Sequence, residues 1–138
     1  MKYIILYFAL ILFVTMGCSM KNLCENYNTD ANVFRSSAME KGKNVSFAEE
    51  KALFSAKQKI AEQVDDYIKT NYELHTLLED RTYEIRIRTA RKNVLNNIEI
   101  VCKRNTSSKG LVYSHVAIEI SKKDIDKYVK RILTEEFE

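Results

Sequence analysis

The sequence predicts an α+β fold: a small antiparallel sheet, formed by a first strand and a C-terminal hairpin, packed against a long amphipathic helix, with a second helix and a closing C-terminal helix. Three observations carry that expectation. Between Ala48 and Ile68, small and branched apolar residues recur at spacings of three and four, the period of one helix face. Between Leu111 and Ile120 they alternate instead, the period of a strand with one buried side. The elements run strand, long helix, second helix, hairpin, final helix, an order that leaves a small sheet covered on one face.

Residues 1–17 stand apart from that domain. Lys2 is their only charge, and an unbroken apolar run from Tyr3 to Val14 ends in Thr15-Met16-Gly17-Cys18, the architecture of a bacterial export signal. A helix crossing a bilayer needs about 20 apolar residues, more than this run supplies before Cys18, Ser19, Lys21 and Asn22 restore polarity. Gly17 directly before Cys18 resembles the lipobox of bacterial lipoproteins, where the cysteine thiol takes a diacylglycerol and becomes the new N-terminus. Thr15 and Met16 stand where that motif more often has leucine and a small residue. The expectation is a lipid-anchored envelope protein attached through Cys18. Ser19 after the cysteine resembles the sorting signal for the outer membrane. Residues 18–30 are polar and aperiodic and read as a flexible tether, leaving 31–138 as a single domain.

Within that domain, 31–39 alternates weakly and reads as a first strand, followed by a turn at Glu40-Lys41-Gly42-Lys43-Asn44. Ser46-Phe47-Ala48-Glu49 fits a capping box opening a helix over about 47–72, with Ala48, Ala52, Ala56, Ile60, Val64, Tyr67 and Ile68 on its buried stripe. The alanines at the start of that stripe let its backbone come close to the sheet. After a bend near Leu77-Leu78, residues 82–95 place Tyr83, Ile87, Ala90 and Val94 on one helical face, although Tyr83 to Arg88 also alternates as a strand would; helix is the preferred reading. Ile98 to Lys103 and Leu111 to Ile120 read as a hairpin turning at Thr106 to Gly110. Ile98, Ile100 and Cys102 are expected on its inner side, together with Val112, Val116, Ile118 and Ile120, and Tyr113, His115 and Glu119 on its outer side. Ser121 with Asp124 opens the last helix, whose stripe is Ile125, Tyr128, Val129 and Ile132.

The segments FRSSAMEKGKNVSFAEEKALFSAKQKIAEQV and LNNIEIVCKRNTSSKGLVYSHVAIEI, together spanning about residues 31–121, resemble the Lpp-twenty family of bacterial envelope lipoproteins. In that family an alanine-patterned helix follows a first strand, and a hairpin with an aromatic and apolar second strand comes later. Asn97 and Ser36-Ser37 stand where the family commonly has glycine. The resemblance implies a non-enzymatic lipoprotein of the outer membrane or cell surface that acts through a partner.

The chemistry the residues exclude is informative. Glycines only at Gly17, Gly42 and Gly110 rule out the glycine-rich phosphate loops of nucleotide-binding folds. A net charge of +3 on 138 residues gives no electrostatic case for nucleic acid. His75 and His115 have no metal-ligand spacing, and neither a metal nor another cofactor is expected. The acidic pairs Glu49-Glu50, Asp65-Asp66, Glu79-Asp80 and Glu135-Glu136 are adjacent in sequence and diverge on a helix, so they read as solvated faces.

Two constellations stay in view. Cys102 with His115 across the hairpin is the alternative reading, a small secreted or tethered enzyme. The preferred reading is a buried Cys102 thiol, an outer-face His115, and a Cys24 that is exposed or paired between molecules, in a compartment where disulfides can form. Arg81, Arg88, Arg91 and Lys92 share part of a helix face that would meet anionic headgroups or an acidic partner, against the plainer reading of a salt-bridged surface. The expected partners are the membrane, through the lipid, and either an envelope protein or a second copy of the chain.

Overall fold

Alternating sequence gives the sheet its two faces. The computed structural model describes residues 21–72 and 80–134, apart from the side chains at 80–83, 87, 133 and 134. Strand β1 (Val33–Gly42) buries Phe34, Ser36 and Ala38 on one side, and the long helix α1 (Val45–Asn71) lies against that side. Helix α2 (Asp80–Asn96) leads into the hairpin of β2 (Glu99–Ser108) and β3 (Leu111–Ser121), and α3 (Lys122–Thr134) closes the chain. The strand order is β1-β3-β2, antiparallel throughout, so β3 is central. Residues 82–95 are helical, as preferred, and the α+β architecture is the expected one.

The core lies between the sheet and the helices. Ala48, Ala52, Ala56, Ile60, Val64 and Ile68 are all buried, one from every fourth position of α1. The five from Ala52 onward share one cluster with Val116, Ile118 and Ile120 of β3, completed by Ala90 and Val94 of α2 and Ile125 and Val129 of α3. The only buried hydroxyl of β1, Ser36, donates to the Ala56 carbonyl at 2.7 Å, which satisfies it inside an apolar contact. At the far end of α1 the Tyr67 and Tyr72 hydroxyls donate to the same Asp126 oxygen, at 3.0 and 2.7 Å, tying α1 to α3. Burial, and then the carboxylate, push the Tyr72 phenol well above its ordinary value.

Four local expectations are corrected. Helix α1 is capped by Asn44, whose Oδ1 accepts from the Phe47 amide at 2.9 Å, so the Ser46–Glu49 capping box does not form. Glu49 instead accepts from Asn105 and Lys103 of β2. Gly42 ends β1 rather than making a turn, and its lack of a side chain answers to α1: a Cβ there would lie 2.9 Å from the Ala48 nitrogen. The hairpin turns at Lys109-Gly110, both with positive φ, a type I′ loop whose hand suits twisted strands. Finally, a bulge at Val101 breaks the alternation of β2: Ile100 pairs with Ile118, but Cys102 pairs with Ala117. Cys102 is thereby turned to the face opposite Ile100, and Ile100 itself stays 51% exposed at the sheet edge rather than entering the core.

Candidate functional site

The outer face of the sheet is covered by residues 21–32, which run across it as a strap. Part of the stretch read as a tether is thus held on the domain. Cys24 forms a disulfide with Cys102, closing a loop of 78 residues, and is fully buried. This corrects both cysteine expectations at once, and the bulge at Val101 is the reason: strict alternation would have put Cys102 under the helices, out of reach. Around the disulfide, the Asn22 side-chain amide donates to Ser37 Oγ at 3.3 Å, and the Cys24 amide donates to Asn22 Oδ1 at 3.0 Å. Cys24 Sγ rests 3.5 Å from the His115 carbonyl oxygen, a contact with no proton in it because the sulfur is bonded to its partner.

His115 is fully buried beneath this strap, not at an open outer surface. Its Nδ1 accepts from the Leu23 amide at 3.1 Å, so the ring proton sits on Nε2, where it can donate to Thr106 Oγ1 at 3.2 Å. Both nitrogens are engaged by the neutral ring, and burial holds the imidazole below its ordinary value of 6.5. With Cys102 in a disulfide and His115 clamped on both sides, the pair considered for nucleophilic catalysis has no free thiol and no open base. Its residues build a fastening.

The basic face of α2 separates into parts. Arg91 Nη1 pairs with Asp65 Oδ2 of α1 at 2.8 Å, across the helix interface. Arg88 and Lys92 are exposed on the same stretch of α2, and the side chain of Arg81 lies outside the described residues. Beside the Arg91–Asp65 bridge a surface groove of ≈ 570 Å³ is lined by Phe54, Lys57, Ala61 and Leu95, with Phe54 63% exposed. Its polar groups are an internal ion pair and scattered single charges, which is a helix seam rather than a converging set of ligands. Among the described residues, no group of three His, Cys, Asp or Glu side chains could hold a metal ion. His75, Glu79, Glu135 and Glu136 lie outside the described residues.

The two sheet edges differ. Along β1, the Thr29 hydroxyl accepts from the Arg35 amide at 2.9 Å, Gln63 donates to the Arg35 carbonyl at 3.1 Å, and Lys59 donates to the Ser37 carbonyl at 2.8 Å. Strap and helix thus take up the outward backbone groups of Arg35 and the Ser37 carbonyl on that edge. On β2, the type I′ loop closes on a hydrogen-bonded Ser108–Leu111 pair, so alternation turns the backbone groups of Ser107, Asn105 and Lys103 away from β3. Next to them a cavity of ≈ 220 Å³ opens between α1 and the sheet, lined by Leu53, Ile100 and Val116 with Glu49, Glu50 and Lys103 at its rim.

No protein-family model matches the chain, and no curated protein matches it.

Proposed function

We propose that the protein is a non-catalytic, lipid-tethered domain of the bacterial cell envelope, probing its surroundings through the open edge of β2. The carrying observation is the contrast between β1, where strap and helix take the outward groups at Arg35 and Ser37, and the outward backbone of Ser107, Asn105 and Lys103 beside an apolar cavity. An added strand there would gain main-chain hydrogen bonds from the edge and specificity from a side chain seated near Leu53 and Ile100. The same edge serves an extended segment of another envelope protein or a second copy of the chain.

Several features support the address. The apolar run ending in Gly17-Cys18 directs export and lipid attachment at Cys18. The Cys24–Cys102 disulfide suits an oxidising compartment. The likeness to the Lpp-twenty lipoproteins points to the outer membrane, as does Ser19, and stands on the residues alone. Among the described residues no helix is long and apolar enough to cross a membrane.

Two variants test the proposal. Cys18→Ala should lose labelling by a fatty-acid analogue and move to the soluble fraction, and unchanged membrane retention counts against the anchor. Ser107→Pro removes one outward N–H without touching the β3 ladder. It should deplete whatever co-purifies with the wild-type protein from detergent-solubilised envelopes, or the self-associated form; an unaltered set of partners rejects the edge as the binding surface.

A further inference from the structure

Where the lipid joins the chain limits which face of the domain can meet the bilayer. Cys18 precedes Cys24 by six residues, a reach of about 20 Å even when fully extended. Cys24 is bonded to Cys102 of the edge strand β2 and its neighbour Leu23 is hydrogen-bonded to His115 of the central β3, so that reach is measured from the outer face of the sheet. A domain of this length is about 35 Å across, and the path around it from the strap to the helix layer is on the order of 50 Å. The leash is too short for the helices to turn toward the membrane.

The side chains on the strap face suit that position. Leu23 is 56% exposed and Tyr27 38% exposed, an aliphatic and an aromatic residue on the strap itself. Lys41 of β1 and Arg104 of β2 stand on the same face of the sheet, opposite Tyr113 and His115 of β3, and both are exposed. Neither has an acidic partner among the described residues. Of the acids on this face, Glu119 and Asp30 are engaged by Arg35, at 2.7 and 2.9 Å, and Glu25 by Lys21 at 2.7 Å, while Glu99, opposite Glu119 at the end of β2 away from the hairpin turn, is exposed. Toward the hairpin turn the face thus offers Lys41 and Arg104, and along the strap an aliphatic and an aromatic side chain, a combination that fits anionic headgroups around an interfacial layer.

We infer that the strap face, centred on Leu23, Tyr27, Lys41 and Arg104, lies against the bilayer that holds the Cys18 lipid, with the helix layer turned away from it. The inference rests on lipid attachment at Cys18. It places the open edge of β2 sideways, parallel to the membrane plane, where a neighbour on the same membrane can reach it.

Lysine footprinting separates the inference from the reading beneath it. The lipidated protein is reconstituted into protein-free vesicles of phosphatidylethanolamine and phosphatidylglycerol and treated with a water-soluble acylating reagent, and each lysine is compared with itself in detergent. Lys21 and Lys41 should label about three-fold more slowly or less on vesicles, with Lys92 of α2 and Lys127 of α3, both exposed, unchanged. Equal rates at all four lysines on vesicles that retain the protein overturn the orientation while leaving the anchor intact. Protein that fails to float with the vesicles overturns the anchor instead. Protection of Lys41 in native envelopes but not on vesicles also overturns the proposal, and assigns the strap face to a protein partner.

Discussion

The two faces of the sheet are closed by different means. On the inner face, Ala52 and Ala56 bring the α1 backbone down onto Val116, Ile118 and Ile120, and the contact is spread over many small burials. On the outer face a short polar strap is held at a few points: one disulfide, one histidine, and the Asn22 and Thr29 hydrogen bonds. The inner face, close-packed over its whole area, leaves no room for added volume. The outer face tolerates change in bulk, since Leu23 and Tyr27 are exposed, but depends on each fastening.

The largest expected effect comes from undoing the fastening. Closing a 78-residue loop restricts the unfolded chain by about 4 to 5 kcal/mol in the loop-entropy account, and loss of a native disulfide costs about 2–5 kcal/mol in practice. A Cys24→Ser/Cys102→Ser double variant should lose that much in urea denaturation and admit protease to residues 21–32 before the helices are cut. If strap and core are cut together, the two faces are one cooperative unit and the contrast fails.

A smaller effect is expected from crowding the inner face. Ala52 is fully buried, and Ala52→Leu forces three extra carbons between α1 and the sheet, for a cost of about 1–3 kcal/mol. Lys51, exposed beside Glu40, serves as the control, with Lys51→Leu changing stability by under about 0.5 kcal/mol. Equal denaturation midpoints for the two variants would mean that the alanine stripe does not pack as tightly as the core geometry requires.

The smallest effect is a local one and depends on pH. Burial holds His115 below 6.5, so the folded protein binds fewer protons than the unfolded chain once pH falls beneath that value. Stability is therefore full above 6.5 and declines as pH drops from there through the depressed folded value. A proton on Nδ1 would face the Leu23 N–H that the bare nitrogen now accepts, so the loss should begin at the strap. Amide exchange reads it directly: between pH 7.5 and 5.5 the protection factor of Leu23 should fall, whereas those of Ile118 and Ile120 should hold. Parallel changes at all three sites would assign the pH effect to global unfolding.

Periodicity made the inner face legible. A stripe every fourth residue and an alternating strand are repeated signals, and α1, the β2–β3 hairpin and α3 follow from them because burying a continuous apolar face dominates the folding free energy. Residues 82–95 carried both periods. Helix prevails there because Ala90 and Val94, four apart, reach the core beside α1. The position of Cys18 in the chain, and hence the length of the leash, is also fixed by sequence, and gains meaning only once Cys24 is placed.

The outer face was decided by tertiary structure. One extra residue at Val101 reverses every side chain that follows it in β2, and that single bulge carries Cys102 from the helix side to the strap side. No residue pattern near Val101 announces it. The burial of His115 depends in turn on twelve aperiodic, mostly polar residues lying across the sheet, held by a contact 92 residues apart in the chain. The Asn44 cap displaced the Ser46–Glu49 box for a similar reason, because Lys103 and Asn105 reach Glu49 from the far side of the fold. Sequence determines what repeats along the chain, whereas a lone crosslink, a lone bulge and a carboxylate taken by a distant strand are set by geometry that only the assembled fold supplies.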